Sequence, residues 1–132
     1  MLVIDASVAL GACTTEDGFE DLPDRELVAP DLMWSEAVSV LHEQRWRGHV
    51  HPEDAERALH RLEGAPVRRR VHRRLRREAW RLADELGWAK TYDAEYLALA
   101  QLLGCRVVTV DGRLRRGAGR GGQAGTRGAP QR

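Results

Sequence analysis

Two short β-branched runs, LVID at residues 2–5 and RVVTVD at residues 106–111, each end on an aspartate. Runs this short, closed by a charge, read as buried strands that deliver a carboxylate at their C-terminal ends. Between them the pattern changes period. ASVALGA can be helical directly after Asp5, and ELVAP (26–30) reads as a second short strand. A helix opening at Pro30 or Asp31 runs to about Arg47, with Trp34, Ala37, Val38 and Leu41 on one face. Pro52 starts another, striped by Ala55, Leu59 and Leu62, and PVRRRV follows as a short strand. The stripe Leu75, Ala79, Leu82, Leu86 and the apolar run after Tyr92 give two more helices, stopped by Gly87 and Gly104. Strands alternating with helices predict an α/β fold, a three-layer α/β/α sandwich around a short parallel sheet of four to five strands. Sites in such sheets form outside the carboxyl ends of the strands, where strand order reverses.

At 132 residues, 42% apolar and 31% charged, the chain reads as one globular domain. No membrane span is present, and an apolar N-terminus interrupted by Asp5 with no basic stretch before it argues against a signal peptide. Cys13 and Cys105 have no metal-ligand spacing and fit thiols of a reducing cytoplasm. Residues 1–64 hold fourteen acids against five Arg, residues 65–132 six acids against sixteen Arg or Lys. That separation allows a polyanion or an acidic partner. After Leu114 the chain holds no large apolar residue, so residues 117–132 are expected to form a disordered Gly/Arg-rich tail beyond a domain of residues 1–116. Its GAGRGG (117–122) mimics a dinucleotide fingerprint, but lacks the strand and helix that must flank one.

Four carboxylates stand out by placement. Asp5 and Asp111 end strands, Glu36 is the only charge between Leu32 and Leu41, and Asp93 opens a buried helix. Each alone has a plainer role as a turn, surface or helix-start residue. Together at one sheet edge they would repel one another unless compensated, and hard oxygen ligands suit Mg²⁺ or Mn²⁺. An ion so held can activate water and stabilise charge on a phosphodiester. Two other acidic-site folds fail. A haloacid-dehalogenase-type phosphatase needs Asp where Ser7 stands, and a receiver needs an acidic neighbour at Asp5 and a Lys after the final strand.

VIDASVAL, APDLMWSEAVSVL, HPEDAERAL, LADELGWAKTYDAEYLALAQLLG and VVTVDGRL, in that order, resemble the PIN-domain ribonucleases, and among them the VapC toxins of toxin–antitoxin modules. The resemblance covers roughly residues 1–116, and YDAEYLALA followed by VTVDGRL is its most specific part. It implies a PIN-like sandwich in which Asp5, Glu36, Asp93 and Asp111 form the acidic metal pocket. Asp5 and Asp93 are the foremost metal contacts, and Ser7 and Thr109 support the site. It also implies Mg²⁺- or Mn²⁺-dependent cleavage of RNA, usually tRNA or rRNA, a cognate VapB-like antitoxin, and a homodimer in the cytoplasm. The family commonly continues into a last apolar strand where this chain has its Gly/Arg segment, and His51 stands where a Ser or Thr cap is common.

RRRVHRRLRR (68–77) suits either phosphate contact or a solvated surface. Arg113, Arg115 and Arg116 follow Asp111 and are the better candidates for the RNA backbone. His49 and His51 have no companions for a zinc site, and His42, His60 and His72 have no nucleophile beside them. Trp34, Trp46, Trp80 and Trp88 are expected in the core or an interface, any exposed one being able to stack a base. Two alternatives stay open, an RNA-processing nuclease without an antitoxin and a non-catalytic RNA- or partner-binding module.

Overall fold

Leu2–Ile4 (β1), Leu27–Ala29 (β2), Val67–Arg69 (β3) and Arg106–Val108 (β4) pair in a computed structural model that describes residues 1–120. All neighbours are parallel, in the order β3-β2-β1-β4. β1 and β2 are buried along their whole length, as expected of apolar strands covered on both faces. β3 lies at an exposed edge, where Arg68 pairs with Glu26 at 3.1 Å and Arg69 with Asp31 at 2.9 Å. Such charges protect an edge from pairing with another strand. β4 ends two residues earlier than the sequence suggests, leaving Thr109 and Val110 to lead out of the sheet.

The helices are Ala6–Ala12 (α1), Leu32–Trp46 (α2), Pro52–Glu63 (α3), Leu75–Leu86 (α4), Tyr92–Leu103 (α5) and Gly112–Arg120 (α6), with a short 3₁₀ turn at Gly18–Asp21. Gly87 and Gly104 stop α4 and α5 in the left-handed conformation, at φ +73° and +68°. His51 serves as the cap of α3, its ring Nδ1 accepting from the Glu53 N–H. From β1 to β3 the chain moves one way along the sheet; right-handed crossovers then put α1, α2 and α3 on one face. Returning from β3 to β4 puts α4 and α5 on the other, completing three layers. The packing follows that division, α1–α3 touching one another while α5 lies against α4, α6, β1 and β4.

α6 corrects the sequence reading. The helix extends through Arg120, past the expected domain end at residue 116, and buries Leu114 and Ala118. Small size replaces hydrophobicity there. A Cβ on Gly117 would lie 2.9 Å from Trp88 Cη2 and 3.0 Å from Leu97 Cδ1, so only glycine admits so close an approach. The rest of the expected tail, residues 121–132, lies outside the described residues. No helix among the described residues is long and apolar enough to cross a membrane.

Strand order reverses between β1 and β4, so the crevice at their carboxyl ends is where this topology leaves room for a site.

Candidate active site

Asp5 follows β1 and caps α1, its Oδ1 accepting from the Val8 N–H at 3.0 Å and from Ser7 Oγ at 2.7 Å. Its Oδ2 accepts from the Thr109 hydroxyl, which arrives from the end of neighbouring β4. Asp5 is only 4% exposed. Burial pushes its carboxyl above the ordinary range, the bonds from Thr109, Val8 and Ser7 oppose that push, and the charge of Asp111 adds to it. Thr109 is itself fully buried and accepts from the Asp111 N–H at 2.9 Å, so one hydroxyl ties two of the acids together. Asp111 is exposed and starts α6, its Oδ1 accepting from the Leu114 N–H at 2.9 Å. The sequence allows Asp5 and Asp111 a plain turn role, and in the structure each bonds the N–H three residues on at the start of a helix.

Glu36 lies one turn into α2, half-buried, and the Tyr96 hydroxyl of α5 donates to its Oε1 at 2.5 Å. Burial raises the Glu36 carboxyl, the Tyr96 bond works against that, and the charges of Asp93, Asp5 and Asp111 raise it further. Burial and the adjacent Glu36 hold the Tyr96 phenol far above its ordinary range, which keeps it a donor. Asp93 is the second residue of α5, and the residue at its cap position, Thr91, makes no side-chain capping bond. Asp93 Oδ2 pairs with Arg113 Nη2 at 2.9 Å, and the Arg113 guanidinium lies 4.7 Å over the Trp88 ring. Glu36 thus feels the charges of the other three acids, which come from the end of β1, the first turn of α5, and the turn between β4 and α6.

Every donor named in this pocket is an oxygen, from four carboxylates and the hydroxyls of Ser7 and Thr109, which suits a hard cation. Among the described residues no group of three or more His, Cys, Asp or Glu stands ready to enclose an ion. Mg²⁺ keeps several waters and needs only one or two carboxylates, so carboxylate oxygens such as these would suit it. A structural zinc site, closed by four nitrogen or sulfur ligands, is not built among the described residues.

The raised pKa values of Asp5 and Glu36 predict a stability cost. Ionisation of either is harder in the folded chain, so their contribution to stability is greatest below the ordinary carboxylate range and falls as pH rises through the raised values. Glu36→Gln keeps an acceptor for Tyr96 and removes the charge. In EDTA it should gain about 1 kcal/mol in urea unfolding at pH 7. The gain should fade toward about pH 4, where the wild-type carboxyl is already protonated. A gain that persists unchanged at low pH would show that repacking, not charge, is its cause.

The basic candidates divide. Arg116 is exposed, Arg113 is engaged with Asp93, and Arg115 is partly buried. In the 68–77 stretch, Arg68, Arg69 and Arg74 pair with Glu26, Asp31 and Glu78, so part of that run holds the surface together. Trp34 and Trp88 pack against the core, whereas Trp46 and Trp80 are 80% and 67% exposed, which overturns a core role for those two. Sequence reasoning missed Tyr96 as the partner of Glu36. Its only signal was a tyrosine among otherwise apolar positions, because a buried phenol needs a partner.

A model of the PIN domain matches residues 2–120. The chain is 36% identical over 115 residues to VapC ribonuclease Mb0985 of Mycobacterium bovis and to ribonuclease VapC9 of Mycobacterium tuberculosis, covering 86% of this chain and 88% of each relative. Among solved structures, PAE2754 from Pyrobaculum aerophilum superposes with a TM-score of 0.70 at 25% identity, over 88% of this chain and 83% of that one.

Proposed function

This chain belongs to the PIN-domain family, and from that membership we propose that it is a metal-dependent endoribonuclease, the VapC-like toxin of a toxin–antitoxin module. The observation that carries the proposal is Glu36, whose carboxyl feels Asp93, Asp5 and Asp111 at the strand-order reversal. Four carboxylates kept close together at the cost of mutual repulsion need a cation to be useful, and the relatives are named as ribonucleases.

In this reading Asp5 and Asp93 hold Mg²⁺ or Mn²⁺, with Glu36 and Asp111 completing the acidic pocket. When bound, the ion supplies Lewis-acid stabilisation of the phosphodiester and eases deprotonation of the attacking water. Ser7 and Thr109 fix the orientation of Asp5, and Tyr96 fixes that of Glu36, so neither carboxylate must be ordered on binding. Arg116 contacts the RNA backbone, and Arg113 joins it when it leaves Asp93. The substrate is tRNA or rRNA, the inhibitor a VapB-like antitoxin, and the protein a cytoplasmic homodimer.

An ion at Asp93 must compete with Arg113. A half-exposed pair of this kind is worth up to about 1 kcal/mol. Arg113→Ala should therefore lower the Mg²⁺ or Mn²⁺ midpoint in a thermal-shift titration by up to about fivefold. An unchanged or higher midpoint would remove Asp93 from the metal-binding set.

The deciding experiment is incubation of total tRNA and rRNA with the purified protein in Mg²⁺, Mn²⁺ or EDTA. Discrete products that disappear in EDTA support the proposal. A folded protein that cuts nothing, or cuts equally in EDTA, ends it.

A further inference from the structure

Next to the acidic pocket, and sharing Glu36 as a wall, lies a cavity of about 400 Å³ lined by Leu32, Ser35, Glu36, Ser39, Val40 and Tyr92. We propose that this cavity is a nucleobase subsite, taking one unpaired base of the RNA beside the phosphodiester to be cut. The inference rests on the endoribonuclease reading of the neighbouring acids.

Its chemistry is that of a base. Tyr92 is 61% exposed, and its hydroxyl has no partner among the described residues, so its ring is presented to solvent rather than used by the fold. Leu32 and Val40 are half-buried and give the cavity an apolar floor. Ser35 and Ser39 are exposed and four residues apart on α2, which places both hydroxyls on one face of the helix. A nucleobase has two apolar faces for stacking and a polar edge that needs donors and acceptors, and unpaired RNA is read in that way. An apolar side chain from a protein partner would leave both serine hydroxyls without a use.

Position points the same way. Tyr92 immediately precedes Asp93 at the start of α5, so a base stacked on its ring holds its own phosphate near the acids. Cations lie beyond the cavity wall, near the start of α2. Asp31, just before Leu32, pairs with Arg69, Arg69 lies 5.5 Å over the Trp34 ring, and Arg76 and Asp31 both act on Glu95. A strand leaving the cavity would meet guanidinium groups suited to phosphate.

The test is binding of fluorescein-labelled oligo-U and oligo-A to the protein in EDTA, where RNA is not cut. The comparison is an abasic oligomer of the same length, which keeps every phosphate and loses every base. Wild type should bind the base-bearing oligomers about tenfold or more tightly than the abasic one, as for loss of one base–aromatic stack. Tyr92→Ala should abolish that preference, Tyr92→Phe should keep it, and Ser39→Trp, filling the cavity from an exposed position, should abolish it independently. Equal affinity of wild type for both kinds of oligomer, no RNA binding, or a preference untouched by Tyr92→Ala and Ser39→Trp would overturn the subsite. Base-dependent binding without cleavage in Mg²⁺ or Mn²⁺ would instead keep the subsite and remove the ribonuclease reading. Cleavage with no base preference would do the reverse.

Discussion

Asp5→Asn should leave a folded protein whose cleavage of RNA falls by about a thousandfold or more, the loss of several kcal/mol of metal-derived stabilisation. Two properties of the side chain make this substitution selective. The remaining Oδ1 still accepts from Val8 N–H and Ser7 Oγ, so the start of α1 keeps its cap, and Asn caps as well as Asp. Its new amide can donate to Thr109 Oγ1, where the wild-type carboxylate accepts, so the link to β4 is reversed in direction but not abolished. What disappears is a buried charge, and the fold should not suffer for it. The variant should match or exceed the wild-type melting temperature in EDTA.

Metal binding gives a second readout of the same residue. An ion that binds the folded state alone adds about 1–2 kcal/mol at roughly tenfold to thirtyfold excess over its dissociation constant. For a chain of this size that is a rise of several degrees in melting temperature, roughly 3–5 °C per kcal/mol. Mg²⁺ or Mn²⁺ should produce the rise in wild type and not in Asp5→Asn. A variant that is inactive yet still shifted by metal would move Asp5 from the ion to a positioning role. An active variant would end the acidic-site account.

The part of this pocket that could be read in the sequence is the part made of short-range rules. LVID and RVVTVD announce strands and the carboxylates that follow them, because a buried strand is an apolar run and its first charge marks the edge. Glu36 was visible as the one charge in an apolar stretch. The parallel sheet followed from the alternation of strands and helices, and with it Asp5 and Asp111 at one sheet edge; that β1 and β4 are neighbours came only from the structure. What could not be read depends on contacts across the chain. Whether Asp93 is a cap or a site residue turns on Arg113, twenty residues away, and on the Trp88 ring beneath that arginine. The Tyr96–Glu36 bond spans sixty residues. The Gly/Arg segment misled for another reason. Hydrophobic pattern measures how much apolar surface a segment offers, and α6 packs because Gly117 and Ala118 offer so little volume.

Leu114→Ala tests that helix, and its effect on stability should be the largest of any substitution considered. Leu114 is 1% exposed, and it is the only large apolar side chain α6 contributes to the core. Truncating a buried leucine to alanine costs about 2–5 kcal/mol, toward the upper end where the surroundings cannot collapse into the space. Collapse is restricted here, since α6 already approaches Trp88 and Leu97 as closely as Gly117 allows. The same residue also serves the site. Its N–H is bound by Asp111 Oδ1, and Arg113, which holds Asp93, is its neighbour. Loosening α6 therefore frees Asp111, one of the four acids, from its place beside Thr109. Urea unfolding should show a fall in midpoint of the stated size, and at a temperature where the variant is still folded, RNA cleavage should fall as well. Leu114→Met, which keeps most of the volume, should recover both. If Leu114→Ala cost less than about 1 kcal/mol, α6 would not be part of the cooperative domain. The domain would then end near residue 111, short even of the residue 116 that hydrophobic pattern alone suggests.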